Sequence, residues 1–284
     1  LTQPATVVYA LAMLFLLGLI NLEHWGQLLL LAASTFLMTV MNNRNSLIRV
    51  FSRLVSSAFL VLSIMIPSLV ESLDGCLVQL LFILTLLLLF SAYQDHHAMG
   101  TIFFAFICLG LISLKFIQIA FFLPVIWIML FTILQAGSLR VFIASLLGLL
   151  LPYWFWLAYC LHNGCYFCIL DHVAGITQFS VIADGLFELP LLLPLIFIVV
   201  LGVAGTTHFI RHSYADNIKT RLFYNVFFVL LLCAVAMITL QPRNSDCALR
   251  IAIVCAAPLV AHFFTFTNSW LTNISFYGAI VTAL

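Results

Sequence analysis

The sequence predicts an all-α membrane protein whose chain crosses the bilayer about eleven times. Of its 284 residues, 65% are hydrophobic and only 7% are charged, and the mean hydropathy is +1.25. Soluble domains have about 25% charged residues, so this chain has too few to cover a soluble surface. Runs such as 81–90 (LFILTLLLLF) are apolar on every side, unlike the alternating strands of a membrane barrel. We therefore predict a single integral membrane domain over residues 1–284.

Polar residues separate the apolar runs and so set the order of the predicted helices. The first run, near 5–22, has no small-residue cleavage site of the kind that ends a signal peptide, so we expect it to remain as a helix. The predicted single crossings are 5–22, 25–41, 54–70, 76–93, 141–162, 190–208, 222–240, 250–267 and 270–284.

The stretch 101–136 is predicted to be a short helical hairpin that crosses the membrane twice. Its 36 residues contain one charge, Lys115, and would fit either one long crossing or two short ones. Basic residues of membrane proteins lie mainly on the cytoplasmic side, and two crossings place seven of the ten there. A single crossing would place every later loop on the opposite side of the membrane. The inside set is Arg44, Arg49, Arg53, Arg140, Arg211, Lys219 and Arg221, and the outside set is Lys115, Arg243 and Arg250.

This sidedness predicts a multi-pass protein of the bacterial inner membrane with a cytoplasmic N-terminus. The segment 41–53 (MNNRNSLIRVFSR) concentrates three Arg and three Asn residues between two apolar runs. It is predicted to be a cytoplasmic loop that orients the chain. In the alternative hypothesis, Asn42–Arg53 also docks a protein partner or anionic lipid headgroups.

The longest external segment, 163–189, is predicted to lie on the outer leaflet as an interfacial amphipathic helix. Apolar residues recur in it at three- or four-residue spacing: Ile169, Val173, Ile176, Phe179 and Ile182. Just before it, PYWFWLAY supplies Trp154 and Trp156 as part of an aromatic belt. Lys115 is expected to reach the outer headgroups. We predict that Lys115 and the two tryptophans bind a lipid or substrate, with plain anchoring as the alternative.

His262 (LVAHFF) is the histidine that the sequence places deepest in the bilayer. A polar side chain at that depth is costly, so we predict that it belongs to a lipid-binding or substrate-binding site. The alternative is a buried histidine that hydrogen-bonds a neighbouring helix. A histidine-rich metal site that includes His208 and His212, four residues apart, is less favoured.

The segment 160–172 (CLHNGCYFCILDH) leaves three interpretations open. Cys165 and Cys168 form a C-x-x-C flanked by His162 and His172, a combination of ligands that can hold zinc. An oxidising external compartment would favour a disulfide instead. The other cysteines are scattered through apolar helices as small hydrophobic residues, which favours no special role here. We expect no metal and no cofactor.

External carboxylates are the residues that could act as a catalytic base on a lipid-linked sugar. Glu23 lies in a first external turn (NLEHWGQ) of only a few residues, and Asp171 lies in the longest external segment. The sequence contains no phosphate-binding loop, no dinucleotide-binding glycine motif and no HExxH. We therefore expect no catalysis, and Glu23 and Asp171 are the catalytic residues of the alternative hypothesis.

The segments MNNRNSLIRVFSRLVSS, LLLLFSAYQDHHAMGTIFFAFICLGLISLKFIQIAFFLPVIWIML and SLRVFIASLLGLLLPYWFW together resemble a multi-pass inner-membrane family of Bacteroides-type bacteria whose function is uncharacterised. The resemblance covers roughly Asn42 to Trp156. It depends on the overall pattern rather than on a catalytic signature, and so it implies a polytopic fold and no site residues.

A second, partial resemblance concerns GTIFFAFICLGLISLKFIQIAFFLP. It is similar to the central hairpins of multi-pass glycosyltransferases that use polyprenyl-phosphate sugars, with Gly100 at the hairpin start, Lys115 near the turn and Pro124 closing the next helix. The family carries its catalytic acid in a long first external loop, whereas the corresponding loop here is short and has Glu23 as its only acid. The resemblance therefore implies a degenerate relative or a partner subunit.

The predicted function is that of an accessory or scaffolding inner-membrane component that handles a lipid or a lipid-linked molecule. The apolar interior, the external amphipathic segment and the missing catalytic motifs favour it. Its expected partners are membrane lipids and a protein of the same membrane complex, and no nucleic acid. The alternatives are a lipid-linked sugar transferase and a transporter of a small molecule or lipid.

Overall fold

All regular structure in the described part of the chain is helical. The computed structural model describes residues 7, 25–50, 52–164, 168–177, 189–212, 214, 216–241 and 245–267. Six helices in these ranges are long and apolar enough to cross a membrane, and shorter apolar helices accompany them. The prediction of an all-α polytopic membrane protein is confirmed. The predicted helices 5–22 and 270–284 lie outside the described residues.

The described helices are numbered α1 to α11 in chain order. Their bounds are Trp25–Asn45 (α1), Leu54–Ile64 (α2), Pro67–Glu71 (α3), Leu73–Ser91 (α4), Met99–Lys115 (α5), Phe122–Thr132 (α6), Leu139–His162 (α7), Cys168–Ala174 (α8), Leu189–His212 (α9), Ile218–Leu240 (α10) and Ser245–Phe266 (α11). Two 3-10 turns, Ile117–Phe121 and Gly175–Thr177, precede α6 and follow α8.

Helix α11 lies at the centre of the bundle. It packs against α2, α4, α9 and α10, and its residues are buried almost without interruption from Cys247 to His262. A helix that is apolar all round is expected in such an enclosed position. Gly205 of α9 allows close packing, because a side chain there would come within 2.6 Å of the Leu259 carbonyl oxygen.

The predicted hairpin is present. Helix α5 ends at Lys115, and α6 runs back to the end of the bundle where α5 began. The main-chain N–H of Gln94 donates to the Leu134 carbonyl oxygen at 2.9 Å, and the Ser138 hydroxyl donates to the His96 carbonyl oxygen at 3.2 Å. These bonds join the chain before α5 to the chain after α6, so the stretch passes through the bundle twice.

The single helix predicted over 54–70 is wrong in detail, because the structure divides it into α2 and α3. Helix α2 ends at Ile64, and Ile66 is extended, with φ −120° and ψ 93°, before α3 begins at Pro67. Proline has no N–H to donate and disfavours a helical conformation of the residue before it. Helix α3 itself ends before Ser72, which is extended, with φ −81° and ψ 110°, so its last main-chain carbonyls need donors from elsewhere.

The two ends of the bundle differ in charge. The basic end is formed by the loops 46–50, 92–98 and 133–138 with the start of α10, where the Thr220 hydroxyl donates to the Ser46 carbonyl oxygen at 3.4 Å. The acidic end is the opposite one. The basic end carries Arg44, Arg49, Arg53, Arg140, Arg211, Lys219 and Arg221, and the acidic end carries Glu71, Asp74, Asp171 and Asp246 with Lys115 and Arg250.

Candidate functional site

Lys115 and Asp74 form an exposed ion pair at the acidic end. The Lys115 Nζ lies 2.8 Å from an Asp74 carboxylate oxygen, and the two side chains are 55% and 50% exposed. Asp74 is in the first turn of α4 and Lys115 is the last residue of α5, so each charge also suits the dipole of its own helix. Solvent-exposed pairs of this kind contribute at most about 1 kcal/mol. The pair therefore adds little stability and leaves a cation accessible.

Helix α8 covers the neighbouring end of α5. The His172 ring nitrogen Nε2 lies 2.8 Å from the Ser113 carbonyl oxygen. A carbonyl oxygen can only accept, so Nε2 carries the proton and donates. The ring of Trp156 on α7 meets the His172 ring edge-on, with 5.1 Å between centroids. The Gln241 side-chain amide, just after α10, donates to the Ile176 carbonyl oxygen at 3.1 Å.

The structure thus places three predicted site residues, Lys115, Trp156 and His172, at the acidic end, and it brings the last two into contact. We call Lys115, Asp74, His172 and Trp156 the rim site. Asp171 is exposed and directly precedes His172 in the chain. The predicted external segment forms a short helix, α8, followed by a 3-10 turn, and its residues 165–167 and 178–188 lie outside the described residues.

The remaining predicted site residues lie elsewhere. Trp154 is 72% exposed on the outer surface of α7, as expected of a side chain that faces lipid. His262 is buried near the basic end, so the structure does not bring it to the rim site. His162 ends α7 and Cys168 begins α8. Cys165 and Glu23 lie outside the described residues, and the roles predicted for all of these residues stay predictions.

Directly behind the rim site, Arg250 is buried in the bundle. Its side chain is 1% exposed, and its Nε donates to an Asp246 carboxylate oxygen at 3.0 Å. Its Nη2 donates to the Leu69 carbonyl oxygen of α3 at 2.7 Å. Gly75 of α4 lies against the guanidinium, where a side chain would collide with it. Two adjacent residues of α4 thus contact two different cations. Asp74 pairs with the exposed Lys115, and Gly75 lies against the buried Arg250.

The last main-chain carbonyls of α3 accept hydrogen bonds from side chains in this region. Arg250 and the Cys76 thiol both reach the Leu69 carbonyl oxygen, the thiol from 3.6 Å. The Gln27 side-chain amide donates to the Glu71 carbonyl oxygen at 3.1 Å. The last carbonyls of a helix lack partners inside the helix, and cationic side chains are favourable there. Arg250 is thus a structural support of the wall behind the rim site.

The burial of Arg250 was not predicted from the sequence, which indicated only that Arg250 lies on the external side. The signal that could have found it is the i, i+4 spacing of Asp246 and Arg250 inside an otherwise apolar helix, which lets the two side chains pair on one helix face.

Among the residues that the structure describes, no three His, Cys, Asp or Glu side chains lie close enough together to hold a metal ion. Comparison with known proteins gives no match: no family model, no curated protein and no solved structure matches the chain. The two resemblances in the sequence therefore stay predictions.

Proposed function

We propose that the protein binds the charged headgroup of a lipid or lipid-linked molecule at the rim site, as a non-catalytic component of the bacterial inner membrane. The observation that supports this most directly is the position of Lys115. It is a half-exposed cation at the end of a membrane-spanning hairpin, two residues after Ser113, whose carbonyl oxygen is bound by His172, and the His172 ring contacts the Trp156 ring. A cation and an amphipathic aromatic ring at the same end of the bundle suit the boundary between headgroups and acyl chains.

The outer surface of α7 supplies an apolar surface for the acyl chains. A row of its exposed side chains follows one helix face at three- and four-residue spacing: Leu139, Ile143, Leu147, Leu150, Trp154, Leu157 and Leu161. The row runs from the basic end to the acidic end, where Trp156 belongs to the rim site. A lipid could therefore lie along α7 with its headgroup at Lys115.

The charge difference between the two ends supports an orientation. Seven basic residues at one end favour a cytoplasmic location of that end. The rim site then faces the outer leaflet of the inner membrane. If 5–22 is a further crossing, the N-terminus is cytoplasmic.

The test of headgroup binding compares two lysines at opposite ends. We would purify the full chain and the variants Lys115→Gln and Lys219→Gln in detergent, wash them identically and measure retained anionic phospholipid by native mass spectrometry. Lys219 is the matched control because it is exposed at the basic end. The expected result is a severalfold loss of lipid in Lys115→Gln alone. Equal retention by both variants and the parent protein would overturn the proposal.

A second candidate function, a lipid-linked sugar transferase, is favoured by one observation. Asp171 is an exposed carboxylate beside His172, at the place where a headgroup would bind. Under this hypothesis, Asp171→Asn would abolish sugar transfer from a polyprenyl-phosphate donor and leave lipid retention unchanged. Transfer activity that survives Asp171→Asn combined with Glu23→Gln would eliminate the enzyme hypothesis.

Membership of a larger complex is the remaining part of the proposal. The loop 46–50 is held against the bundle because Leu47 and Ile48 are buried, while Arg44 and Arg53 are exposed on either side. We propose the segment Asn42–Arg53 as the docking surface for a cytoplasmic part of the partner. A pull-down in mild detergent should recover a stoichiometric membrane protein, and Arg44→Gln with Arg53→Gln should reduce its yield.

A further inference from the structure

A carboxylate and an imidazole are paired inside the basic end, away from the rim site. Asp216 lies in the connection between α9 and α10, and His262 lies on α11. The His262 Nε2 is 3.2 Å from an Asp216 carboxylate oxygen, and the two side chains are only 2% and 4% exposed. Helix α11 packs against both α9 and α10, so the pair ties the connection between those two helices to α11.

Aromatic rings surround the imidazole of His262. The ring centroids of Phe209, Tyr224 and Phe266 lie 5.2, 5.2 and 4.7 Å from its own. The hydroxyl of Tyr224 donates to the Pro258 carbonyl oxygen at 3.5 Å, so this hydroxyl is directed at the main chain of α11. Water is largely excluded from these surroundings, and a buried charge there must be compensated by a group in direct contact.

Within the described part of the chain, titratable and charged groups near the pair lie on α9, on α10 and in the loop 46–50. Helix α9 contributes His208, whose ring centroid is 5.6 Å from that of His262, and the exposed Arg211 one turn further on. Helix α10 contributes Tyr224, and its Lys219 lies over the rings of Tyr93 and Phe223 instead. The loop 46–50 contributes Arg49, whose guanidinium lies 4.7 Å from the centroid of the Phe266 ring.

We infer that Asp216 and His262 form a proton-binding site. When His262 is neutral, the Asp216 carboxylate faces an uncharged imidazole across 3.2 Å. Binding of one proton to the imidazole converts the pair into an ion pair with no net charge, and no other bond forms or breaks. Coupled groups of this kind bind their protons as a pair rather than as independent residues.

His208 gives the proton a route from the surface. It is half-buried on α9, with its ring next to that of His262, and Arg211 beyond it is exposed at the basic end. Chains of His and Asp residues within membrane helices carry protons in pumps and transporters. Because Asp216 belongs to the connection between α9 and α10, the bound proton strengthens the attachment of Asp216 to α11, and its loss weakens that attachment.

The first test counts protons. We would titrate the purified full chain, Asp216→Asn and Asp95→Asn between pH 4.5 and pH 8.5. Asp95 is the matched control, because it is an exposed acid at the same end of the bundle. Asp216→Asn is expected to take up about one proton fewer than the parent over this range. Each variant lacks one carboxyl, so the change in Asp95→Asn gives the effect of removing an exposed one. If Asp216→Asn differs from the parent by no more than Asp95→Asn does, the inference is overturned.

The second test measures how accessible the connection between α9 and α10 is to a protease in the same proteins. Trypsin can cleave after Arg211 and Lys219, which flank it, and cleavage after Arg140 serves as the internal reference. In the parent, flanking cleavage relative to the reference should rise with pH, and in Asp216→Asn it should not depend on pH. A pH-independent ratio in the parent contradicts the inference.

The parent protein alone supplies a third measurement, which does not depend on whether a variant folds. Ring-15N-labelled histidines in bilayers would show by NMR which of the eight change protonation state. The inference requires one titrating ring whose signal is little affected by a paramagnetic agent dissolved in the water, as expected of a buried side chain. If that agent broadens the signal of every titrating ring, no buried histidine binds a proton and the inference fails.

Discussion

Arg250 and Leu69 are joined by a hydrogen bond across 181 residues of chain, with 2.7 Å between the Arg250 Nη2 and the Leu69 carbonyl oxygen. The bond gives a donor to a carbonyl at the C-terminal end of the short helix α3. Asp246, which lies on α11 together with Arg250, pairs with the Arg250 guanidinium. One buried cation thereby donates to a carbonyl that the end of α3 before Ser72 leaves without a partner inside the helix.

Replacing Arg250 should destabilise the protein more than replacing any exposed arginine. Arg250→Met fills much of the same space but removes the strongest donor to the Leu69 carbonyl and the partner of the Asp246 carboxylate. Because Asp246 is 38% exposed, the main cost is the loss of the donor to the buried carbonyl, about 1–3 kcal/mol. Thermal unfolding in detergent would measure the loss. Arg140→Met, at an exposed position, should change stability by less than about 0.5 kcal/mol, and equal effects of the two variants would contradict the account.

Gly75 should tolerate no side chain, because the Arg250 guanidinium occupies the space that a Cβ would need. Gly75→Ala is expected to cost about 1–3 kcal/mol through overpacking. Gly100 is the control, since an added Cβ there meets nothing within 4 Å. Gly100→Ala should be neutral or stabilising, because alanine favours a helix by up to about 1 kcal/mol. Equal unfolding temperatures for the two variants would show that the guanidinium does not lie against Gly75.

The packing of α5 on α7 depends on two glycines. A Cβ on Gly110 would lie 2.8 Å from the Leu149 carbonyl oxygen, and a Cβ on Gly148 would collide with the Phe103 carbonyl oxygen. Small residues let membrane helices approach this closely. Each change to alanine should cost about 1–3 kcal/mol. The two changes should not be additive in a double variant, because both separate the same pair of helices, and strict additivity would contradict this packing.

Lys115 and Asp74 should be weakly coupled in stability. A double-mutant cycle with Lys115→Gln and Asp74→Asn is expected to give a coupling energy below about 1 kcal/mol, because both side chains are half-exposed. Under the proposed function, the same lysine variant still loses bound lipid. A large coupling energy without loss of lipid would mean that the ion pair is structural.

Composition and the positive-inside rule predict most of the fold, because the length of each apolar run and the positions of the basic residues can be read directly from the sequence. The two crossings of the hairpin 101–136 follow from the positive charges in the later loops, and the structure confirms the two passes. Which helices pack against each other could not be predicted in this way. Helices that are apolar on every side, such as α11, have no periodic face that indicates a partner.

The candidate sites were predicted only in part, for a related reason. Lys115, Trp156 and His172 are recognisable as interfacial side chains from their position between apolar runs. Arg250 and Asp216 appear equally interfacial, since each lies near a predicted helix end. Their burial results from contacts with α3 and α11, which are distant in the sequence, and no local pattern contains that information.

Sidedness tests the central claim most directly, because the proposed headgroup site requires the acidic end to face outward. An epitope inserted after Gly164 probes the acidic end, and the same epitope after His96 probes the basic end. In spheroplasts with intact inner membranes, a protease should remove the epitope after Gly164 and spare the one after His96. Protection of the Gly164 epitope, or removal of both, would contradict the orientation and the outer-leaflet role of Lys115.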